Sequence, residues 1–178
     1  MVGFINKEAT TIIKNMLFID ADKCNGCRVC EIYCSFNKTK TCNPTMSRVS
    51  VIKWETEGIN TPVLCMQCDE APCMSVCPVS AISKNLEYAT VVIDRKVCIG
   101  CKLCMMICPF GAISVDSIEG KVVKCDLCEG DPMCAKMCST GAITFSSADR
   151  AAMMKKREGM EKVSSLMRLA LNKKAGGE

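Results

Sequence analysis

Four cysteines are regularly spaced within residues 97–113. The segment reads VCIGCKLCMMICPFGAI and follows the pattern C-x2-C-x2-C-x3-C-P. Its cysteines are Cys98, Cys101, Cys104 and Cys108. In this pattern three thiolates hold three corners of one [4Fe–4S] cube, and the fourth binds a different cube. A chain leaving the third ligand cannot turn back to the open corner in so few residues. The run therefore predicts a second cube with its own three cysteines.

Three more groups of four cysteines occur in the chain, and the four groups are called motifs 1–4 in chain order. Motif 1 is Cys24, Cys27, Cys30 and Cys34; motif 2 is Cys65, Cys68, Cys73 and Cys77; motif 3 is the run above; and motif 4 is Cys125, Cys128, Cys134 and Cys138. They use all but one of the 17 cysteines, leaving Cys42. The sequence thus predicts four [4Fe–4S] clusters, with iron held by these cysteines.

The motifs belong to an internal repeat. An Ala-Ile pair stands four and five residues after the last cysteine of motifs 2, 3 and 4, at 81–82, 112–113 and 142–143. Each repeat is predicted to form a strand, a cysteine loop, a short helix, a turn and a strand. Two repeats make one pseudo-symmetric ferredoxin-like module. We therefore expect an α+β fold of two such modules followed by a C-terminal helical extension.

The remaining segments are assigned from local patterns. We predict a helix over 7–16, strands over 16–19, 48–54, 88–94 and 121–124, and loops over 37–45 and 55–62. The expected division is an N-terminal lead-in of residues 1–20, a four-cluster domain of residues 21–146 and a basic helical tail of residues 147–178.

The composition excludes several classes of function. The chain has no histidine, which removes haem–histidine ligation, Cys2His2 zinc and histidine acid–base catalysis. It shows no phosphate-binding glycine loop, so no catalytic site of its own is expected. The formal charge of +4 becomes about −4 if four oxidised cubes with their thiolates each carry about −2. The basic composition is therefore no argument for a nucleic-acid partner.

Cysteine usage also bears on the compartment. The apolar stretch at 11–19 is interrupted by Lys14 and Asn15, and no leader or membrane-spanning run is recognised. We expect a cytoplasmic chain, in which clustered thiols indicate metal binding rather than disulfides. The alternative metal is zinc held by CxxC pairs, although three thiols within seven residues suit a cube face better than one tetrahedral ion. Cys42 is interpreted as a loop thiol, with a substituting ligand or an interface residue as alternatives.

Residues 16–146 resemble the four-cluster iron–sulfur subunits of molybdenum and tungsten pterin oxidoreductases, a group that includes dimethyl sulfoxide reductase, formate dehydrogenase and nitrate reductase. The resemblance is carried by CMQCDEAPCMSVCPVSAI, VCIGCKLCMMICPFGAI, KCDLC and CAKMC-STGAI. The chain is also similar to electron-transfer subunits that accompany tungsten aldehyde oxidoreductases and tungsten benzoyl-CoA reductase. Ser139 stands where the family usually has proline, so the surroundings of that cluster are expected to differ.

The resemblance implies that motifs 1 and 4 exchange their fourth cysteines in an outer module, as motifs 2 and 3 do in an inner module. The inner exchange also follows from sequence proximity and two Cys-Pro steps, whereas the outer exchange rests on the resemblance alone. The predicted ligands are Cys24, Cys27, Cys30 and Cys138 for cluster 1; Cys125, Cys128, Cys134 and Cys34 for cluster 2; Cys65, Cys68, Cys73 and Cys108 for cluster 3; and Cys98, Cys101, Cys104 and Cys77 for cluster 4.

The predicted function is electron transfer within an oxidoreductase complex. The resemblance implies a larger catalytic subunit with a molybdenum or tungsten pterin, and a second redox partner such as a ferredoxin or a flavin or NAD subunit. The alternatives are a free polyferredoxin and an electron-transfer subunit of a hydrogenase or of a formate or CO dehydrogenase. No integral membrane segment is expected.

The tail carries apolar residues at helical spacing among basic ones. These are Met153, Met160, Val163, Met167 and Ala170. Two interpretations stay open, a solvated helix on the protein's own surface and a docking helix for a larger partner.

Overall fold

The computed structural model describes residues 15–175 and, in the last helix, the side chains of residues 148–165, 167 and 168. This part of the chain is a small α+β fold. Its strands are β1 (Asn15–Ile19), β2 (Ser50–Trp54), β3 (Ile59–Val63), β4 (Ile82–Asn85), β5 (Thr90–Ile93), β6 (Ile113–Val115), β7 (Val122–Lys124) and β8 (Ile143–Ser147). Its α-helices are α1 (Val29–Thr39), α2 (Pro72–Ser75), α3 (Leu103–Ile107), α4 (Met133–Lys136) and α5 (Ala148–Ala175). Single 3₁₀ turns lie at Ala21–Lys23 and Pro44–Met46.

The described strands form four antiparallel pairs, β1–β8, β2–β3, β4–β5 and β6–β7. In the β1–β8 pair Leu17 lies opposite Phe145, and Ile19 lies opposite Ile143. This pair joins the segment that enters motif 1 to the segment that leaves motif 4. The first and last cysteine motifs are therefore held together although about a hundred residues separate them in the sequence.

A strand follows each Ala-Ile pair, as the repeat predicts. β4, β6 and β8 begin at Ile82, Ile113 and Ile143, and each of these isoleucines is at most 5 % exposed. Burying one such side chain contributes roughly 1.5–3 kcal/mol. The repeated isoleucine thus fixes each outgoing strand against the core. The strands predicted over 16–19, 48–54, 88–94 and 121–124 are also confirmed, as β1, β2, β5 and β7.

Two loop predictions are wrong in part. The predicted loop over 55–62 contains most of β3, which pairs with β2 around a turn that ends at Gly58 (φ +67°). Pro62 is compatible with this strand because each strand of a two-stranded sheet has a free edge. The predicted loop over 37–45 begins inside α1, which continues to Thr39. Positions 7–14 of the predicted helix lie outside the described residues, and residues 15 and 16 belong to β1.

Buried side chains form two separate clusters. The outer core contains Leu17, Val49, Val51, Leu64, Leu127 and Ile143 together with Cys30, Cys34, Cys125 and Cys134. The inner core contains Ala71, Ala81, Ile82, Val91, Ile113 and Val122 together with Cys73, Cys98 and Cys104. Thiols are therefore part of each core, and motifs 1 and 4 supply one set while motifs 2 and 3 supply the other.

The predicted tail helix is present as α5, which follows β8 directly and has 28 residues. Its first turns pack on β1 and β8, where Ala151 is 7 % exposed. Lys155 lies 3.2 Å from Asp20, Glu158 lies 2.6 Å from Lys23, and Lys162 lies 3.7 Å from Asp22. Within residues 15–175, none of the helices has the length and apolar content to cross a membrane.

Candidate iron–sulfur sites

Motifs 2 and 3 lie side by side because α2, which carries Cys73, packs against α3, which carries Cys104. One apolar cavity between them is lined by Cys65, Cys68, Cys73 and Cys108. A second cavity is lined by Cys77, Cys98, Cys101 and Cys104. These are the sets predicted for clusters 3 and 4, and each includes one cysteine from the other motif.

Motifs 1 and 4 meet in the same way, through α1 and α4. A third cavity is lined by the set predicted for cluster 2, which is Cys34, Cys125, Cys128 and Cys134. In the remaining set, burial raises the pKa of Cys30 to about 12, and Glu31, Cys27 and Cys138 add to the rise. Cys24 and Cys138 both pack against the outer core. Three of the four cysteines predicted for cluster 1, Cys24, Cys30 and Cys138, thus lie at the outer core, whereas Cys27 is exposed.

The loops that present the cysteines repeat their backbone conformation. Gly26 and Gly100 have φ of +70° and +71°, and Arg28 and Lys102, two residues later, have φ of 59° and 64°. Motifs 1 and 3 therefore make the same left-handed turn before the helix that carries their third cysteine. Gln67 and Leu127 occupy matching left-handed positions in motifs 2 and 4, with φ of 51° and 57°.

Several sulfur atoms accept hydrogen bonds. The backbone N–H of Arg48 donates to Cys34 (3.3 Å), that of Leu127 to Cys125 (3.4 Å) and that of Ala81 to Cys77 (3.3 Å). Ile143 donates to Cys138 (3.4 Å), and the side-chain amide of Asn37 donates to Cys128 (3.5 Å). Such bonds favour the more negative, reduced state of a cluster and raise its reduction potential.

The buried thiols are poorly ionised without a metal. Burial raises the pKa of Cys125 to about 12, and burial likewise raises the pKa of Cys134, Cys73 and Cys104. Cys138 differs, because hydrogen bonds from Thr140 and Ile143 outweigh burial and lower its pKa. An apolar site disfavours bare thiolates, but it can hold thiolates that are bound to iron, which displaces their protons. Metal binding and folding are therefore coupled.

Motifs 1 and 3 each have a solvent-exposed second cysteine. Cys27 and Cys101 are exposed, whereas the second cysteines of motifs 2 and 4, Cys68 and Cys128, are only partly exposed. The sites predicted for clusters 1 and 4 thus reach the protein surface at Cys27 and Cys101.

A partly buried ion-pair network flanks the third cavity. Asp126 accepts from Lys38 (2.8 Å) and from Arg48 (2.7 Å), and all three residues line the cavity. Burial would raise the pKa of Asp126, but the two cations outweigh it and lower the pKa. The sequence alone gave no sign of this network, because its members are far apart in the chain and are brought together only by the packing of motif 1 on motif 4.

The donor set fits an iron–sulfur cube. Four thiols around one apolar cavity match four iron corners that each require one thiolate. Within residues 15–175, no three cysteine, aspartate or glutamate side chains converge as the ligands of a single ion do. When bound, each cube would supply one-electron redox chemistry, and the chain would hold it, limit its contact with water and present N–H donors to its sulfur ligands.

Cys42 stands apart from the four sets. It is exposed and lies between α1 and the turn at Pro44–Met46. We therefore expect Cys42→Ala to leave the iron content and the electron paramagnetic resonance (EPR) spectrum of the reduced protein unchanged. A loss of iron in this variant would show that Cys42 binds a cluster.

Gly100 is required by its conformation and by a close neighbour. Its φ is +71°, and a Cβ added there would lie 3.2 Å from the backbone oxygen of Gly120. Gly111 has a similar φ of +59°, but a Cβ there would meet nothing within 4 Å. Both alanine variants carry the left-handed cost of about 1–2 kcal/mol. Only Gly100→Ala also brings a Cβ against a backbone oxygen, so it should be the less stable of the two. The thermal unfolding midpoints of the two variants can be compared by monitoring cluster absorbance during anaerobic heating, and equal midpoints would contradict this expectation.

Comparison with known proteins places the chain in a family. Residues 56–150 match the 4Fe-4S dicluster domain, and the chain belongs to that family. Its function as an iron–sulfur electron-transfer protein, predicted from the cysteine motifs, is confirmed.

Two relatives and one solved structure illustrate the similarity. The chain is 42 % identical over 128 residues to the putative electron transport protein YsaA of Escherichia coli K12, covering 65 % of this chain and 77 % of that protein. It is 38 % identical over 112 residues to the polyferredoxin-like subunit of an aliphatic sulfonate oxidoreductase of Pyrococcus furiosus, covering 63 % and 64 %. A chain of the benzoyl coenzyme A reductase complex BamBC overlaps at 25 % identity, with coverage of 86 % and 96 % and a TM-score of 0.46.

Proposed function

We propose that the chain holds four [4Fe–4S] clusters in a row and carries single electrons between a catalytic oxidoreductase subunit and a second redox partner. The ligand sets are those predicted from the sequence for clusters 1–4. The observation that carries this proposal is that three of the four sets each line one cavity, and each of the three includes a cysteine from a second motif.

The two-module arrangement is supported by the backbone. The left-handed turns of motif 1 recur in motif 3, and the left-handed position of motif 4 recurs in motif 2. A pseudo-symmetry that exchanges the outer and inner modules requires this correspondence, since it maps motifs 1 and 4 onto motifs 3 and 2. The separate outer and inner cores are consistent with one module each. In this division residues 21–146 form the cluster domain and residues 147–178 form the tail.

The order of the clusters follows from which thiols of different sets are neighbours. Cys30 and Cys134 are both buried in the outer core, which supports sets 1 and 2 as neighbours. Cys65 packs against the outer core, which contains Cys125, and this supports sets 2 and 3 as neighbours. The packing of α2, which carries Cys73, on α3, which carries Cys104, supports sets 3 and 4 as neighbours. We therefore infer the order 1–2–3–4, in which the two end sites are those with an exposed cysteine.

The similarity to a subunit of an aliphatic sulfonate oxidoreductase supports a catalytic oxidoreductase subunit as the partner. On the strength of the motif resemblance, that subunit is proposed to contain a molybdenum or tungsten pterin. A ferredoxin or a flavin or NAD subunit would exchange electrons at the other end. The chain contributes no catalytic group, and its reduced thiols suit the cytoplasm.

Anaerobic purification of the native complex through a tag on this chain tests the proposal. We expect a larger subunit to co-purify with molybdenum or tungsten, and dithionite reduction of the complex to reduce this chain's clusters. Recovery of the chain alone, with iron but neither metal, would instead support a free polyferredoxin. Recovery with a subunit that contains nickel would indicate a hydrogenase.

A further inference from the structure

Lys124 is a buried cation at the boundary between the outer and inner cores. It is the last residue of β7, immediately before Cys125, and it is 4 % exposed. Lysine is almost never buried to this extent unless it is paired. None of the ion pairs among the described residues involves Lys124. The charge of Lys124 therefore calls for a counter-charge other than a side-chain carboxylate of the described residues.

The ammonium of Lys124 is held entirely by neutral oxygens. It donates to the backbone oxygen of Val91, to that of Cys125 (3.0 Å) and to the side-chain oxygen of Gln67 (3.4 Å). Gln67 also donates to the Cys125 oxygen (2.7 Å) and accepts from the Val91 N–H (2.8 Å). Three acceptors satisfy the three N–H groups and fix their position, but they do not neutralise the charge.

This position borders one predicted cluster site and contacts the backbone of a predicted ligand of another. Lys124 lines the cavity of Cys65, Cys68, Cys73 and Cys108, which is the site of cluster 3. The Cys125 carbonyl that it contacts belongs to a ligand of cluster 2. A cube with four thiolates carries about −2 when oxidised and about −3 when reduced. An interior cation costs least where such an anion faces it.

We propose that Lys124 is the fixed counter-charge of the two interior clusters and raises the reduction potential of cluster 3 and, to a smaller extent, of cluster 2. The inference rests on the proposed four-cluster arrangement. When cluster 3 takes one electron from a reduced neighbouring cluster, that neighbour is oxidised by one electron and the negative charge beside Lys124 grows by one. The ammonium stabilises that extra charge without moving, because its hydrogen bonds already hold it. Electron transfer to cluster 3 is thereby kept from becoming the least favourable transfer along the row.

The test is an anaerobic EPR redox titration of Lys124→Met, with dithionite as reductant. We expect the reduction equilibrium of one interior cluster to shift at least tenfold towards the oxidised form, which is 59 mV for a one-electron couple. Lys121→Met removes the same charge from the start of the same segment, where Lys121 donates to the Arg95 oxygen (2.7 Å). That control should shift every potential less. Unchanged potentials in Lys124→Met, or an equal shift in the control, would overturn the proposal.

Two further variants separate charge from hydrogen bonding. Lys124→Gln is neutral but keeps N–H donors, so it should lower the same potential, whereas Lys124→Arg keeps the charge and should restore it. If both neutral variants lose the cluster while Lys124→Arg keeps it, the charge role is supported. Loss in all three variants would overturn it in favour of a packing role. The wild-type titration keeps this result distinct from the four-cluster proposal, because a wild type with fewer than four clusters contradicts that proposal instead.

Discussion

Cys138→Ala should remove the cluster bound by Cys24, Cys27 and Cys30 and leave the cluster bound by its own sequence neighbours Cys125, Cys128 and Cys134. The iron content should fall from about 16 to about 12 per chain, since each cube holds four irons. The reason is the packing of α1 on α4 and the β1–β8 pair, which bring motif 4 beside motif 1. Anaerobic iron analysis and EPR of the reduced protein measure the loss.

Paired substitutions make this test independent of assigning EPR signals to particular clusters, because only the iron contents are compared. Cys30→Ala combined with Cys138→Ala alters one proposed cluster, so the double variant should also hold about 12 irons. Cys134→Ala combined with Cys138→Ala alters two, so it should hold about 8 irons. The reverse order of the two iron contents would show that Cys138 binds together with Cys134, and the outer exchange would be wrong.

A stop codon after Ser147 should weaken the complex with the catalytic subunit while leaving the cluster content intact. The reason lies in the orientation of α5. Ala151, Lys155 and Glu158 face the domain, whereas Met153, Met160 and Met167 recur every seven residues on another face and are at least 62 % exposed. At about 1.5 Å per residue the helix is about 42 Å long, so it offers an extended surface to a partner. We propose that the methionine face contacts the catalytic subunit.

A matched variant separates docking from helix attachment. Replacing Met153, Met160 and Met167 together by serine keeps Lys155, Glu158 and Lys162, so α5 should stay on the domain. Burying one methionine contributes roughly 1.5–3 kcal/mol, and about 1.4 kcal/mol is tenfold in affinity, so partner binding should weaken at least about tenfold. Glu161→Ser is the control, because Glu161 is exposed and follows Met160 directly, which places it about 100° around the helix from that methionine and off the methionine face. Partner affinity equal to wild type in the truncated chain would reject the docking role, and loss of iron would instead make the tail a cover for the clusters.

The repeated elements could be predicted from the sequence because each is fixed by neighbouring residues. Strands β4, β6 and β8 begin at the isoleucine of each Ala-Ile pair, where local pattern and burial agree. β3 was missed because Gly58 and Pro62 are loop residues by local pattern, and only pairing with β2 makes this segment a strand. Local patterns identified motifs 1 and 4, but not the strand pairing of β1 with β8 that brings them together.

The electrostatic surroundings of the sites were not predictable in the same way. Arg48 and Lys38 reach Asp126 across about 80 to 90 residues of sequence, and the N–H of Arg48 donates to Cys34 only after the two motifs have packed. From the sequence, Lys124 looks like an exposed residue at the end of a strand. In the structure it is covered by β5 and by the motif 2 loop. Ligand spacing is a local property, whereas the groups that tune a cluster come from the tertiary fold.

The number of clusters is measured most directly by iron and acid-labile sulfide analysis of protein purified without oxygen, together with Mössbauer spectroscopy of the same sample. Four cubes predict about 16 iron and about 16 sulfide per chain, all with the spectrum of [4Fe–4S] clusters. About 8 of each, with no loss during preparation, would mean two clusters and would contradict the four-cluster row.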